Sequence, residues 1–194
     1  MAFMSEAITG AMFEVRRVQP EDSLDELTGL IHRAFEPLGR LGLRCVGVDQ
    51  AAADTARRIG RGDCLLALRE RRVVGTVTME ASDVASACSW YRRRDVAILH
   101  QFAVEPAEQG RGCGTLLLNC AETWARERGC RELALETPET ASRLVSYYLS
   151  RGFRLIQRWH KQGVSYTSVV MSKPVAPVAM STNPWFAPHR RLVW

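Results

Sequence analysis

No uninterrupted apolar run in this chain approaches the ~20 residues that a membrane-spanning helix needs, so an integral membrane protein is not expected. Between Met1 and Met12 no basic stretch leads into a long apolar one. The pattern of a secretory leader is therefore missing, and the expected setting is soluble and cytoplasmic. None of the six cysteines, at 45, 64, 88, 113, 120 and 130, belongs to a C-x-x-C pair, and no histidine cluster accompanies them. Neither a zinc site nor a disulfide framework is indicated. Reduced thiols and no metal follow. Internal repeats are absent. The net charge of +5 favours anionic ligands in general, yet the basic residues are scattered apart from Arg92, Arg93 and Arg94. With no zinc-finger or RNA-binding signature, nucleic acid is not an expected partner.

What the chain does contain is an apolar run, Val96 to Val104, that leads through Glu105-Pro106-Ala107-Glu108 into Gln109-Gly110-Arg111-Gly112-Cys113-Gly114 and then into a helical pattern. A strand, a glycine-rich turn and a helix start are the parts of an anion cradle. N–H groups in the first turn of a helix lack intrahelical partners and carry the positive end of its dipole, so they favour a phosphate. Two common phosphate loops are excluded by detail. The nucleotide-hydrolase loop needs Lys and then Ser or Thr after its last glycine, whereas Gly114 is followed by Thr115-Leu116. The dinucleotide fingerprint needs a third glycine three residues after the second, and Gly110, Gly112 and Gly114 are spaced otherwise.

Further along stands Tyr148-Leu149-Ser150-Arg151-Gly152-Phe153. The pattern Gln109-x-x-Gly112-x-Gly114 after a Val-x-Pro strand end resembles the coenzyme A loop of the GCN5-related N-acetyltransferase family. The downstream element looks like that family's Tyr-x-x-x-Gly-Phe. The resemblance covers Val96 to Lys173 well and Phe13 to Glu80 by order of elements. It implies an α/β (mixed α+β) acyl-CoA N-acyltransferase fold, with a mostly antiparallel, splayed central sheet of about seven strands flanked by helices.

Periodicity supplies elements of its own. Phe13 to Val18 alternates as a strand does, and Leu24, Leu27, Leu30, Ile31 and Ala34 make a helical stripe after Pro20-Glu21-Asp22-Ser23. Glu36 to Val48 reads as irregular, Asp49 to Ile59 as helical, and Cys64 to Leu68 with Arg72 to Glu80 as a hairpin. Asp83 to Asp95 reads as a polar connector. In the helix after the glycines, Leu117, Cys120, Ala121 and Trp124 share one face, and Gly129 ends it. Glu132 to Glu136 reads as a strand, Pro138 to Ser150 as a helix opened by its proline, and Phe153 to Trp159 with Ser165 to Met171 as a hairpin around Gln162-Gly163. Four of the eight prolines fall in the final twenty-one residues. The expected division is a lead of residues 1–11, an acetyltransferase domain of 12–173 and a tail of 174–194, with Trp185, Phe186 and Trp194 available to anchor that tail.

Amide formation from a thioester needs a neutral amine, a held carbonyl and a proton for the departing thiolate. The resemblance implies acetyl-CoA as cofactor. Its diphosphate would be held by Gln109, Gly110, Arg111, Gly112, Cys113 and Gly114, and its pantetheine arm by main-chain groups of Phe102, Ala103 and Val104. Tyr148 is the expected acid toward the thiolate, because a phenol can donate its proton there. The base is one of three: His100, on the strand before the loop and with a suitable ordinary pKa, or Glu80 or Glu136, each acting directly or through water. Strict alternation puts Gln101 on the face opposite His100. Where the family often has an Asn seven residues before the Tyr, this chain has Ala141, and Ser142 is the substitute. Cys113 reads as a filler rather than a nucleophile.

The acceptor would be a small-molecule amine or a peptide or protein amine. Family habit implies a homodimer. Two rivals belong to other classes: a non-catalytic acyl-CoA-binding regulatory protein on the same fold, and a basic nucleic-acid partner keeping the loop as a relic.

Overall fold

The computed structural model describes residues 12–160, 164 and 166–175, together with the backbone of Ile8–Thr9. The elements run β1 (Ile8–Thr9), β2 (Glu14–Arg17), α1 (Leu24–Arg40), α2 (Val46–Asp49), α3 (Ala52–Ile59), β3 (Asp63–Arg69), β4 (Arg72–Glu80), β5 (Val96–Val104), α4 (Cys113–Glu127), β6 (Glu132–Pro138), α5 (Ser142–Ser150), β7 (Arg154–His160) and β8 (Thr167–Pro174). Eight strands form one sheet in the order β1-β2-β3-β4-β5-β6-β8-β7. These are the seven expected strands with the two-residue β1 added at the edge. Every neighbouring pair is antiparallel except β5 with β6. Among the described residues no helix is long and apolar enough to cross a membrane.

That one parallel pair controls the architecture. β5 and β6 are in register only at Val96 with Glu132, Ala97 with Leu133 and Ile98 with Ala134. Beyond Ile98 the two strands part, and the remaining halves of β5 and β6 become the walls of a cleft. On one face of the sheet, α4 lays Leu117, Cys120, Ala121 and Trp124 into the main core with Val77, Leu99 and Leu133. Removing such side chains from water contributes about 2 kcal/mol each. Gly75 on β4 allows this approach, because a Cβ there would stand 2.9 Å from the Cys113 sulfur and 3.0 Å from Leu117. On the other face α1 packs Leu27, Leu30 and Ile31 against Leu66, Leu68 and Ala103. Its first turn is capped by Ser23, whose hydroxyl accepts from the Glu26 N–H at 3.2 Å.

Several expectations are corrected. α1 does not end before Glu36 but continues through Pro37 to Arg40, with Leu38 buried; part of the stretch expected to be irregular is α2. Pro138 does not open a helix. It closes β6, opposite Ser168 of β8, and α5 begins at Ser142 with Ala141 as its N-cap. Within the connector between β4 and β5, Cys88 and Tyr91 are buried and pack on Val96, Ile98, Ala134 and Val170, so this segment is not merely polar. β8 carries Pro174, and Val175 is buried in the main core. The Gln162-Gly163 turn and the Trp185, Phe186 and Trp194 anchors lie outside the described residues.

Candidate active site

The turn entering α4 is pinned before it opens. Arg33 of α1 donates to Glu105 through Nε at 3.0 Å and Nη2 at 2.9 Å, and Arg69 donates to Glu108 at 2.7 Å. The Gln109 amide donates to the Val104 carbonyl at 3.1 Å, so this side chain ties the turn to the strand that precedes it. Gly110 and Gly112 follow at φ +76° and +94°, a region that L side chains rarely enter, and nothing stands within 4 Å of where their Cβ atoms would be. Arg111 is half exposed beside them, 3.9 Å from Glu108.

Gly112 is the N-cap of α4 and offers no side-chain cap. The first helical bond is from the Leu116 N–H to the Gly112 carbonyl, at 3.0 Å. The N–H groups of Gly112, Cys113, Gly114 and Thr115 therefore lack the intrahelical acceptors that later turns enjoy. Gly112, Gly114 and Thr115 line the cleft. Donors without intrahelical acceptors at the positive end of a fifteen-residue helix suit an anion. Cys113 points the other way. It is buried against Gly75, and burial pushes its thiol up to about 11, so it fills space and is not a nucleophile.

The cleft itself has a volume of about 1430 Å³ and runs between the parted halves of β5 and β6. Phe102, Ala103 and Val104 lie along one wall. Ala103 and Val104 pair with Thr76 and Gly75 of β4, and no pairing joins this part of β5 to β6. Glu136 stands on the opposite wall, in register with Val170 of β8. Ser142, at the start of α5, lines the same cleft. Tyr148 is buried among Tyr147, Phe153 and the main core, and burial raises its phenol well above the ordinary value. Its neighbour Tyr147 stands one residue before the tyrosine of the Tyr-x-x-x-Gly-Phe element. Both line the cleft, and the Tyr147 hydroxyl reaches the glycine turn, 3.3 Å from a Cβ position on Gly114.

On the wall nearer α3, His100 Nε2 lies 3.2 Å from Glu80 Oε2. Arg61 Nε donates to the other Glu80 oxygen at 3.0 Å, and Arg61 Nη2 donates to Asp83 at 3.2 Å. Burial lowers the His100 pKa below 6.5; the Glu80 bond and charge oppose that shift, and the Arg58 and Arg61 cations assist it. For Glu80, burial works to raise the pKa, but the bond and charge of His100 together with Arg61 bring it below the ordinary carboxylate value. The imidazole is neutral and the carboxylate ionised at neutral pH. His100 Nδ1 is buried with no hydrogen-bond partner among the described residues.

The expected alternation fails at Gln101. Thr78 of β4 pairs with His100 and Thr76 pairs with Ala103, so two residues of β5 oppose one of β4. Gln101 absorbs the extra residue at φ +50°. This bulge brings its side chain to the His100 face, where Oε1 accepts from the Thr78 hydroxyl at 3.2 Å. Its Nε2 is buried without a partner among the described residues, a donor that the sequence reading missed.

With the cradle, the parted strands and the paired candidates in place, comparison with known proteins identifies their setting. Residues 30–153 match the model of the acetyltransferase (GNAT) family. The chain belongs to that family. It is 42% identical over 59 residues to an aminoglycoside N(6')-acetyltransferase type 1 of Klebsiella aerogenes, a match covering 30% of this chain and 39% of that protein. An uncharacterized N-acetyltransferase of Methanocaldococcus jannaschii is 36% identical over 73 residues, covering 36% of this chain and 32% of the relative. The chain thus spans well under half the length of these curated relatives. Among solved structures, the ribosomal-protein-S18-alanine N-acetyltransferase of Escherichia coli superposes with a TM-score of 0.64 at 18% identity, over 90% of this chain and 100% of that one. At that identity the likeness is one of fold.

Proposed function

We propose that this chain transfers an acetyl group from acetyl-CoA to a primary amine, by direct attack of the amine on the thioester carbonyl. The observation that carries this reading is the open N-terminus of α4 at the mouth of the gap between β5 and β6. The residues present fit the coenzyme: the Cβ-free space at Gly110 and Gly112 lets the backbone approach a diphosphate closely. When bound, the coenzyme supplies an activated acyl thioester.

In this reading the N–H groups from Gly110 to Thr115, with the Arg111 charge beside them, hold the diphosphate. Main-chain groups of Phe102, Ala103 and Val104 orient the arm that runs into the cleft, and Ser142 closes the far side of it. Gln109 serves by holding the turn, since its amide is already engaged. Tyr148 keeps its proton because burial disfavours the phenolate, and it is the donor toward the departing sulfur. His100 takes the proton that the acceptor's ammonium must lose.

For the acceptor, the cleft supplies Glu80, Asp83 and Glu136 as carboxylates and Tyr91, Trp159 and Tyr166 as apolar walls. Arg57, Arg58 and Arg61 line the same cleft, and Arg61 bonds both Glu80 and Asp83, so the lining is mixed in charge. The names of the relatives suggest two arms of a substrate panel, an aminoglycoside and a peptide beginning with alanine. Release of free thiol from acetyl-CoA, measured against that panel and simple primary amines, tests the function. Amine-dependent release supports the reading; tight coenzyme binding with no release on any amine would favour a non-catalytic acyl-CoA-binding protein.

A further inference from the structure

We infer that Glu80 is a positioning residue that fixes the tautomer of His100, and that it is not itself the base. The inference rests on the reading of His100 given above and deepens it. Three observations carry it. Glu80 Oε2 meets His100 Nε2 at 3.2 Å. The second Glu80 oxygen is occupied by Arg61, which also bonds Asp83, so the carboxylate is held from two sides. His100 Nδ1 is buried, unpartnered among the described residues, and belongs to a side chain that lines the cleft.

An ionised carboxylate can only accept hydrogen bonds. The hydrogen of the neutral imidazole must therefore sit on Nε2, between the ring and Glu80, which leaves the lone pair on Nδ1. Of the two ring nitrogens, the one with a free lone pair is thus the one without a partner among the described residues. A proton leaving the acceptor's ammonium passes to Nδ1, and the imidazolium so formed is stabilised by the carboxylate already bonded at Nε2. Glu80 is ill placed to take that proton directly, because its two oxygens are committed to a cation and to the ring. The charged groups acting on His100 come from three elements: Arg58 of α3, Arg61 in the turn after it, and Glu80 of β4. Glu136, on the far wall of the cleft, acts on Arg58.

Charge reversal of the effect makes the test specific. In Glu80→Gln the anion that favours imidazolium is gone, so the acid limb of kcat/KM should move to lower pH by about one unit. Turnover at neutral pH should fall by roughly ten- to a hundredfold, with coenzyme affinity unchanged. In Arg61→Gln, at a half-exposed side chain that does not threaten folding, a cation that disfavours imidazolium is gone, and the limb should move to higher pH. Nitrogen NMR of the imidazole in the parent protein should report hydrogen on Nε2, and Glu80→Gln should give a mixture of tautomers. An unmoved limb and an unchanged tautomer in Glu80→Gln would overturn the inference. So would loss of turnover in Glu80→Gln while His100→Gln turns over like the parent, since Glu80 would then be the base. His100→Gln and Glu80→Gln both turning over like the parent would instead remove the His100 reading on which the inference rests.

Discussion

The Tyr147 hydroxyl stands 3.3 Å from where a Cβ on Gly114 would sit, and the tip of Phe102 stands 3.4 Å from the same point. Gly114 therefore keeps open a narrow place where the glycine turn, β5 and α5 meet. In Gly114→Ala the Tyr147 hydroxyl must give by a few tenths of an ångström, while Phe102 meets the new methyl at ordinary contact distance. Helix propensity gains about 1 kcal/mol from the same change, so stability should stay nearly level. Coenzyme affinity should weaken several-fold. Calorimetric titration and a thermal melt on the one variant separate the two effects.

The adjacent tyrosines differ in what they offer. Tyr148→Phe should lower kcat by about a hundredfold or more while the coenzyme still binds, because only the proton donor is lost. Tyr147→Phe should act on coenzyme affinity and leave kcat within a few-fold of the parent. If Tyr147→Phe abolishes turnover and Tyr148→Phe does not, the acid is Tyr147. Steady-state kinetics on both variants decides it.

The pH dependence follows from burial. His100 has its pKa lowered from 6.5, so the neutral imidazole persists through neutral pH and is lost only as pH falls through that depressed value. Tyr148 is raised above its ordinary value of 10, so the phenol stays protonated throughout the neutral range. A kcat/KM profile should show its acid limb below pH 6.5 and no basic limb from this phenol below pH 10. An acid limb well above 6.5 would contradict the assignment of His100.

Stability away from the cleft has its own anchor. Asp63, at the start of β3, accepts from Arg17, from the Trp124 indole at 2.7 Å and from Arg128 at 2.7 Å, while the Arg128 guanidinium lies 4.2 Å over the Trp124 ring. One carboxylate thus joins β2, β3 and the end of α4. Asp63→Asn removes the charge that two arginines share at a largely buried site and should cost about 2 kcal/mol in urea unfolding. Coenzyme affinity in the folded variant should match the parent.

Much of this arrangement was legible in the chain because it is local. The face of α4 follows from four residues at helical spacing, and its start from the three glycines at 110, 112 and 114. Helix ends and strand ends were less legible. The glycine-rich stretch from Glu36 to Val48 reads as irregular, yet burial of Leu38 and the packing of α1 on the sheet carry the helix past Pro37 to Arg40. Pro138 looked like a helix opener because nothing in the sequence announces its pairing with β8. The bulge at Gln101 was invisible for a related reason: a period of two cannot register one extra residue, and the irregularity exists only against β4. Glu80 and His100 appeared as competitors for one role because their contact spans twenty residues of chain and depends on strand register. The Tyr147 hydroxyl owes its place to the approach of α5 to the glycine turn, which is likewise a tertiary fact.

The proposed activity depends on main-chain amides at the start of α4 gripping a diphosphate and so bringing an acyl thioester into the cleft. Calorimetric titration of the parent protein and of Gly112→Val with coenzyme A, and of the parent with pantetheine, which lacks the diphosphate, tests it most directly. Coenzyme A should give saturable heat with the parent, Gly112→Val should lose much of that affinity, and pantetheine should bind little. Equal binding of pantetheine and coenzyme A, or full affinity in folded Gly112→Val, would contradict it.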